Sequence, residues 1–210
     1  MLRIGLLGAG MIGAVHVEGF ATMKSKTAQY TAVCDIDDIK RNEFARKYNL
    51  CAYAALDEML ADPSINIVDL CLPSFMHEEF AVKIVRAKKH LLIEKPVAFT
   101  LEAARNIFTA ARENGVRIMV AQVIRFWPEY VKIKEIYDSG AIGDIITVYA
   151  ARLGQIEVEN YNPYGKEIEY FAECAAAGKD PETVSEQSVM QVLMSILAAK
   201  ESLHKGEIRL

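Results

Sequence analysis

The feature that most constrains this chain lies at its start, where an apolar run leads directly into a glycine-rich turn. The run Leu2 to Leu7 has the composition of a buried strand, and Gly8, Gly10 and Gly13 follow it with the spacing G-x-G-x-x-G. The first glycine permits a tight turn, the second lets a pyrophosphate approach the backbone, and the third allows close packing of helix on strand. The sequence therefore predicts a dinucleotide-binding α/β unit.

The residues after this turn indicate how the dinucleotide is held. The helix predicted to begin near Met11 and Ile12 would direct its free N–H groups and its positive end towards the phosphates. A second apolar strand, Tyr30 to Cys34, ends at Asp35, about 20 residues beyond the last glycine. At this spacing a carboxylate accepts hydrogen bonds from the adenosine ribose hydroxyls.

The charges around this loop favour NAD over NADP. A carboxylate at Asp35 accepts from the ribose hydroxyls of NAD and repels the 2′-phosphate of NADP. Lys40 and Arg41 follow one helical turn later, so a basic group could still reach a 2′-phosphate, and NADP remains possible. We interpret Asp37 and Asp38 as charges at the first turn of a helix, where they suit the helix dipole, in preference to a second ribose contact.

Composition excludes several classes of protein. With 210 residues and 52% hydrophobic side chains, the chain can bury the core of one large domain or two modest ones. A formal charge of −4 without a basic stripe argues against nucleic acid as a partner. The opening apolar run is too short to span a membrane and lacks a signal-peptide layout, so we expect a cytoplasmic protein. The four cysteines form no C-x-x-C pair, which predicts reduced thiols and no metal site.

Strand and helix patterns alternate through the first part of the chain, which is typical of a doubly wound parallel sheet covered on both faces. The sequence predicts strands at 2–7, 30–34, 67–72, 90–93 and 116–123, and helices at 39–48 and 56–61 and around Phe80 and Ile107. Thr100 is a plausible N-cap of the last of these helices, and Gly115 would end it. We assign residues 1–124 to this NAD(P)-binding Rossmann domain.

The alternation breaks down beyond it, and residues 125–210 read as an abbreviated α+β domain with closing helices. Helices are predicted at 128–139 and 166–177, and strands at 145–153 and 207–210. Thr183 and Glu186 have capping-box spacing ahead of a long apolar helix that contains Val189 and Leu193. A strand at 145–153 without several neighbours would leave an open apolar edge. Residues 207–210, a further segment following this strand in a longer chain, or another subunit could each cover it, and we expect a homo-oligomer.

Several motifs, in order, resemble the glucose-fructose oxidoreductase and inositol dehydrogenase (Gfo/Idh/MocA) family. They are the Gly8 turn, Cys34-Asp35, Pro73 with His77, Lys89 to Pro96, Arg125 to Pro128, Gly140 to Gly143, and Tyr164 to Ile168 with the segment from Glu201 to Gly206. The resemblance implies an NAD(P)-dependent oxidoreductase that transfers a hydride between nicotinamide and a secondary alcohol or ketone of a sugar, sugar derivative or cyclitol.

The resemblance also implies roles for residues at the ends of the later strands. It places Lys95 beside the substrate hydroxyl, where the ammonium would polarise the oxygen, and it implies that the backbone of Glu94 contacts nicotinamide. Pro73 and Ser74 would lie over the cofactor, the alternative being a helix start capped by Ser74. We interpret His77 as a structural histidine that forms hydrogen bonds, in preference to a catalytic one.

Residues at the end of the first domain and in the second domain would complete the pocket. The resemblance places Gln122, Arg125 and Trp127 along the cofactor or sugar site, although an interdomain salt bridge is an equal alternative for Arg125. Tyr164 could donate a phenolic proton if it faces Lys95, and otherwise it packs the interface. These residues complete the predicted site.

The chain departs from the family at one point that bears on catalysis. Family members carry an Asp-x-x-x-His motif in a long segment after the strand equivalent to 145–153, whereas no aspartate here is followed four residues later by a histidine. After His90 the next histidine is His204. Two hypotheses follow, a sugar- or cyclitol-type dehydrogenase and a catalytically inactive NAD-binding regulator or scaffold.

Overall fold

A computed structural model of the chain describes residues 1–145 and 161–205, with side chains described as far as residue 202. Its framework is a six-stranded sheet in the order β3-β2-β1-β4-β5-β6, and every neighbouring pair is parallel. The strands are β1 Leu2–Leu7, β2 Ala28–Cys34, β3 Cys51–Tyr53, β4 Ile67–Leu70, β5 His90–Glu94 and β6 Ile118–Ala121. This strand order, reversing between β1 and β4, confirms the predicted doubly wound fold.

Eight α-helices accompany the strands in the described residues. They are α1 Met11–Ala21, α2 Asp38–Tyr48, α3 Leu56–Ala61, α4 His77–Arg86, α5 Leu101–Asn114, α6 Pro128–Asp138, α7 Pro163–Ala177 and α8 Glu186–Lys205. Local chemistry explains several of their ends. Asp37 caps α2 by accepting from the N–H groups of Ile39 and Lys40, and Thr100 caps α5 by accepting from Ala103. Gly115 ends α5 in the left-handed conformation, as the sequence predicts.

The core lies on both faces of the sheet and continues into the closing helices. Helix α7 packs on α1, and α8 packs on α5. Ile168 and Phe171 of α7 and Leu193 of α8 are buried in the same apolar cluster as the strand residues. The described helices after residue 160 are therefore part of the packing of the NAD(P)-binding domain, and a boundary near residue 124 stays a prediction.

The structure corrects three details of the expected elements. Strand β3 was missed, because three residues give no readable period. Strand β6 begins at Ile118 instead of Val116. The predicted capping box at Thr183 is wrong: Thr183 lies in a short 3₁₀ turn, and the Ser185 hydroxyl accepts from Ser188, one turn into α8. The strand expected at 145–153 lies outside the described residues beyond its first position, and the one at 207–210 lies wholly outside them.

Helix α6 is bound loosely to the rest of the described structure. None of its residues is buried, and it exposes Tyr130, Ile133 and Tyr137, which follow one another at helical spacing. Self-association, which light scattering measures, stays a prediction for which this apolar face offers surface. In the part of the chain that is described, no helix has the length and apolar character required to cross a membrane.

Candidate functional site

Several of the predicted site residues lie on turns at the edge of the sheet where the strands end. Parallel strands all finish at one edge, and ligands of doubly wound folds bind there beside the point where the strand order reverses. This point lies between β1 and β4. The turns that leave β1, β2, β4, β5 and β6 carry Gly8, Asp35, Pro73, Lys95 and Gln122 respectively.

The turn after β1 has the shape that a phosphate-binding loop requires. Gly8 has a φ of +108°, and a Cβ there would lie 2.8 Å from the Cys71 carbonyl oxygen. A Cβ at Gly13 would lie 2.5 Å from the carbonyl oxygen of Gly8, so α1 starts directly against the turn. At Gly10, in contrast, an added Cβ would meet no atom within 4 Å among the described residues. The backbone at Gly10 therefore faces open space that a ligand can enter.

The first turn of α1 is left without a side-chain cap. Gly10 precedes the helix, no side chain accepts from its first N–H groups, and the first turn carries no acidic residue. Met11, at the opening of the helix, is 80% exposed. Side chains cap α2, α5 and α7 instead. The positive end of α1 is thus available to an anion, and the site fits a dinucleotide pyrophosphate.

Asp35 is held as a carboxylate next to this turn. One oxygen accepts from the Ala9 N–H at 2.8 Å and the other from the Asp37 N–H at 2.9 Å. A carboxylate oxygen accepts more than one hydrogen bond, so both oxygens keep a free position for ribose hydroxyls. The expected helix-end role of Asp37 is confirmed, since it caps α2.

The two basic residues that could receive a 2′-phosphate already have partners. The Arg41 guanidinium donates to the Asp35 carbonyl oxygen at 2.9 Å and pairs with Asp38, and it is 8% exposed. The Lys40 ammonium lies 3.4 Å from the Asp37 carboxylate. A 2′-phosphate would have to compete with these carboxylates.

A buried histidine joins the turns that follow β4 and β5. The ring nitrogens of His77 lie 2.8 Å from the Pro96 carbonyl oxygen and 2.9 Å from that of Leu72. This geometry agrees with the structural interpretation of His77. Ser74 opens a 3₁₀ turn that precedes α4, so it does not cap an α-helix, and the alternative reading of Ser74 as an α-helix cap is wrong.

The turn after β5 presents Lys95 to solvent. Its backbone N–H donates to the side chain of Glu94 at 2.9 Å, and the next peptide bond, to Pro96, is cis. The Lys95 side chain is exposed and has no hydrogen bond or salt bridge to any residue that the structure describes. It is therefore free to meet a ligand at this edge.

The predicted residues after β6 contact one another and the closing segment. Arg125 donates to the Gln122 side chain at 2.7 Å and to the Thr183 carbonyl oxygen at 3.1 Å. Burial lowers the pKa of Arg125. Trp127 packs edge-on near Tyr130, with ring centroids 6.3 Å apart. Arg125 thus joins the residues after β6 to the closing segment through hydrogen bonds, without the predicted salt bridge to any residue that the structure describes, and its substrate role stays a prediction.

Tyr164 lies on α7, at the contact with α1. Its ring centroid is 5.8 Å from that of His16, and its Cβ would be 3.1 Å from a Cβ placed on Gly19. The packing alternative accounts for this position. A proton-donating role towards Lys95 remains a prediction.

Sequence reasoning missed a buried polar cluster beneath this edge, which we call the His16 cluster: His16, Asp69, Glu94 and Glu167. The Nδ1 atom of His16 lies 2.9 Å from an Asp69 carboxylate oxygen, and its Nε2 atom lies 3.2 Å from one of Glu94. His16, Asp69 and Glu167 are all fully buried. The Tyr30 hydroxyl donates to Asp69 at 2.5 Å.

The charges in this cluster are strongly coupled. Burial acts against the charge of His16, but the neighbouring Asp69 and Cys71 together raise the histidine pKa well above 6.5. Burial raises the pKa of Glu167 to about 8; the nearby His16 opposes this, and Glu94 and Asp69 add to it. Both oxygens of Glu167 are buried without a hydrogen-bond partner in the described part of the chain. These shifts favour the protonated forms of both His16 and Glu167.

One signal in the sequence could have revealed this cluster. Asp69 interrupts the apolar strand β4, and a charge on a buried strand requires a partner. Its partner cannot be read from the sequence, because His16 lies 53 residues away. Ligand atoms of His16, Asp69 and Cys71 also lie within 4.8 Å of one another, a spacing that a metal ion could use, but the three groups already form hydrogen bonds together.

Comparison with known families assigns the fold. Residues 2–122 match the family model described as Gfo/Idh/MocA oxidoreductase family, NAD-binding Rossmann fold. The chain belongs to this family. It is an oxidoreductase-family member with an NAD-binding domain, and the open turn at Gly10 and the uncapped α1 fit that cofactor.

Among curated relatives of this Gfo/Idh/MocA protein, an uncharacterized oxidoreductase of Bacillus subtilis is 33% identical over 66% of the chain and 40% of the relative. Inositol 2-dehydrogenase of Salmonella typhimurium is 29% identical over 76% of the chain and 48% of the relative. The chain thus spans less than half the length of either relative.

A solved structure is similar over almost the full chain. A probable dehydrogenase from Thermotoga maritima is similar with a TM-score of 0.86 over 98% of each chain. At 17% identity this likeness shows the fold alone. The described arrangement of this Gfo/Idh/MocA chain, closing helices included, therefore has a counterpart of about the same length.

Proposed function

We propose that this chain binds NAD(H) and transfers a hydride to or from a secondary alcohol or ketone of a sugar, sugar derivative or cyclitol. The observation that carries the proposal is the position of Lys95, an exposed lysine without a described partner at the edge where α1 is uncapped. The similarity to inositol 2-dehydrogenase supports a polyhydroxylated substrate.

The cofactor and the residues of the chain would have different roles in this hydride transfer. Bound nicotinamide would supply or accept the hydride. The ammonium of Lys95 would bind the substrate oxygen and stabilise the charge that develops on it. Gly8, Gly10 and the N–H groups of Met11 and Ile12 would hold the pyrophosphate.

Further residues would shape the pocket. Pro73, Ser74, Glu94 and Gln122 line the same edge and would contact the cofactor. Arg125 and Trp127 would bind substrate hydroxyl or anionic groups, and Tyr164 would be the proton donor if the bound substrate brought it into reach. These roles rest on the resemblance of the motifs and on the shared edge.

A second candidate function is an NAD-binding regulator or scaffold without turnover. The sequence favours it in one respect, because no aspartate is followed four residues later by a histidine. A positioned acid-base group typically contributes about 10² to 10⁴ in rate. Turnover on sugars, inositols and nucleotide-sugars separates the two candidates.

Cofactor preference is tested at Asp35. NADH should bind more tightly than NADPH in a fluorescence titration, because the Asp35 carboxylate repels a 2′-phosphate and Arg41 is already paired. Replacement of Asp35 by Ala should weaken NADH binding by roughly 1.5 to 3 kcal/mol, the contribution of a hydrogen bond to a charged group. The same replacement should reduce the preference for NADH over NADPH. Equal or tighter NADPH binding by the unmodified chain would contradict the assignment.

Activity is tested at Lys95 in the same preparation. Lys95→Ala should abolish turnover with little change in NADH affinity, whereas Lys26→Ala, at an exposed lysine before β2 on the opposite edge, should leave both unchanged. NADH binding without any turnover by the unmodified chain would favour the regulator.

A further inference from the structure

The turn that carries Lys95 is held from beneath by charged groups that belong to the interior. We propose that His16 is a positioning residue whose two ring nitrogens link buried Asp69 to Glu94 and so fix the backbone of Lys95 for its ligand. This inference rests on the proposed function, since it concerns the same edge of the sheet.

The geometry forms a continuous chain of contacts. Asp69 binds Nδ1 of His16 at 2.9 Å, and Nε2 of the same ring lies 3.2 Å from Oε1 of Glu94. The other oxygen of Glu94 accepts from the Lys95 N–H at 2.9 Å. A displacement of the His16 ring would therefore move the Glu94 carboxyl group, which accepts the hydrogen bond from the Lys95 backbone N–H.

The contacts lead from fully buried side chains to one that is partly exposed. His16 and Asp69 have side-chain exposures of 0%, whereas Glu94 is 12% exposed, so the charges run from the interior to the edge of the site. A buried imidazolium between two carboxylates satisfies both ring N–H groups, and removing it would leave two carboxylates with like charge. The ring therefore determines where the Glu94 carboxylate rests.

The surrounding elements reinforce the charge state of the ring. Around it lie Asp69 and Cys71 from β4 and the turn after it, Glu94 from β5, and Tyr164 and Glu167 from α7, while Tyr30 from β2 donates to Asp69. Tyr30 and Cys71 stay protonated because burial and Asp69 raise their pKa values, that of Cys71 to about 12. The carboxyl groups that contact the ring nitrogens of His16 are those of Asp69 and Glu94.

The first test reads the Lys95 backbone without need of catalysis. In amide exchange followed by NMR, the Lys95 N–H should be protected in the unmodified protein. His16→Gln should speed its exchange by about tenfold or more, the ratio that the loss of about 1.4 kcal/mol produces. His90→Gln is the matched control, because His90 lies at the other end of β5 and accepts from Arg117. Unchanged Lys95 exchange in folded His16→Gln would overturn the proposal.

The second test is a double-mutant cycle on NADH affinity with His16→Gln and Glu94→Gln, because the backbone of this turn, unlike the Lys95 side chain, is proposed to contact the nicotinamide. If His16 acts through Glu94, the double variant should bind NADH about as weakly as the weaker single variant; independent structural effects would multiply instead. Multiplicative losses would overturn the proposal. If His16→Gln does not fold, Glu94→Gln alone should speed the exchange of the Lys95 amide and weaken NADH binding. The proposal is overturned if neither change is observed.

These readouts separate the inference from the proposed function. A protected Lys95 amide and a non-additive cycle in a chain without turnover would contradict the dehydrogenase and support the positioning role. Turnover with multiplicative losses would do the reverse.

Discussion

At the scale of single residues, the sequence predicts best where the chemistry is local. Gly8 allows the tight turn after β1, and the side chains of Asp35 and Thr100 accept hydrogen bonds from nearby backbone N–H groups. Each of the three is recognisable from its spacing to neighbouring elements. Asp69 and His16 are different, because each is explained only by the other, 53 residues away. Long-range polar pairs depend on how helices dock on the sheet, and a single sequence does not encode that docking in a readable period.

Glu167 gives a pH dependence with a definite sign. Its pKa is about 8 when folded, against 4.5 for the free side chain, so the folded state binds the proton more tightly. The free energy of unfolding should therefore fall as pH rises from about 4.5 to about 8, by about 1.36 kcal/mol per pKa unit of difference.

Glu167→Gln should remove this dependence, because the amide stays neutral. Denaturant unfolding at pH 5, 6.5 and 8 should show the variant gaining stability relative to the unmodified protein as pH rises. Glu173→Gln, at an exposed position of the same helix, should show no such trend. Parallel curves for Glu167→Gln and the unmodified protein would contradict a protonated Glu167.

At the scale of elements, close approach of helices matters as much as their apolar faces. A Cβ on Gly165 of α7 would lie 2.3 Å from the Gly19 carbonyl oxygen of α1. The sequence predicts α7 as a helix but gives no sign of which helix it touches. It also places the start at Lys166, whereas Asn162 caps the helix by accepting from Tyr164 and Gly165. Pro163 fits the first helical position and lengthens the helix.

Two glycine-to-alanine substitutions separate packing from ligand binding. Gly165→Ala should lower the free energy of unfolding by about 1 to 3 kcal/mol, because the methyl group forces α7 away from α1. Gly10→Ala should lower stability less than Gly165→Ala, since nothing described lies within 4 Å of the added Cβ and only the N-cap position of α1 is affected, and it should weaken NADH binding. Denaturant midpoints and NADH titrations measure both. Normal NADH affinity in Gly10→Ala would contradict the phosphate loop.

At the scale of the whole molecule, the alternating pattern in the sequence was enough to predict the parallel sheet. Strands such as β4 and β5 are apolar and buried, and the segments between them have helical period. The packing of α7 and α8 into the same core could not be predicted, because the apolar face of a helix does not indicate which surface it packs against.

Because the first turn of α1 is uncapped, the stability of the folded protein should depend on bound dinucleotide. A helix without a cap is less stable by about 0.5 to 2 kcal/mol than one whose N–H groups are satisfied, and a bound pyrophosphate would satisfy them. Stability should then grow by about 1.4 kcal/mol for each tenfold rise in NADH above its dissociation constant. Pulse proteolysis at graded NADH should show slower digestion, and a flat response would contradict it. Survival of the protein in a cell would then follow the supply of dinucleotide.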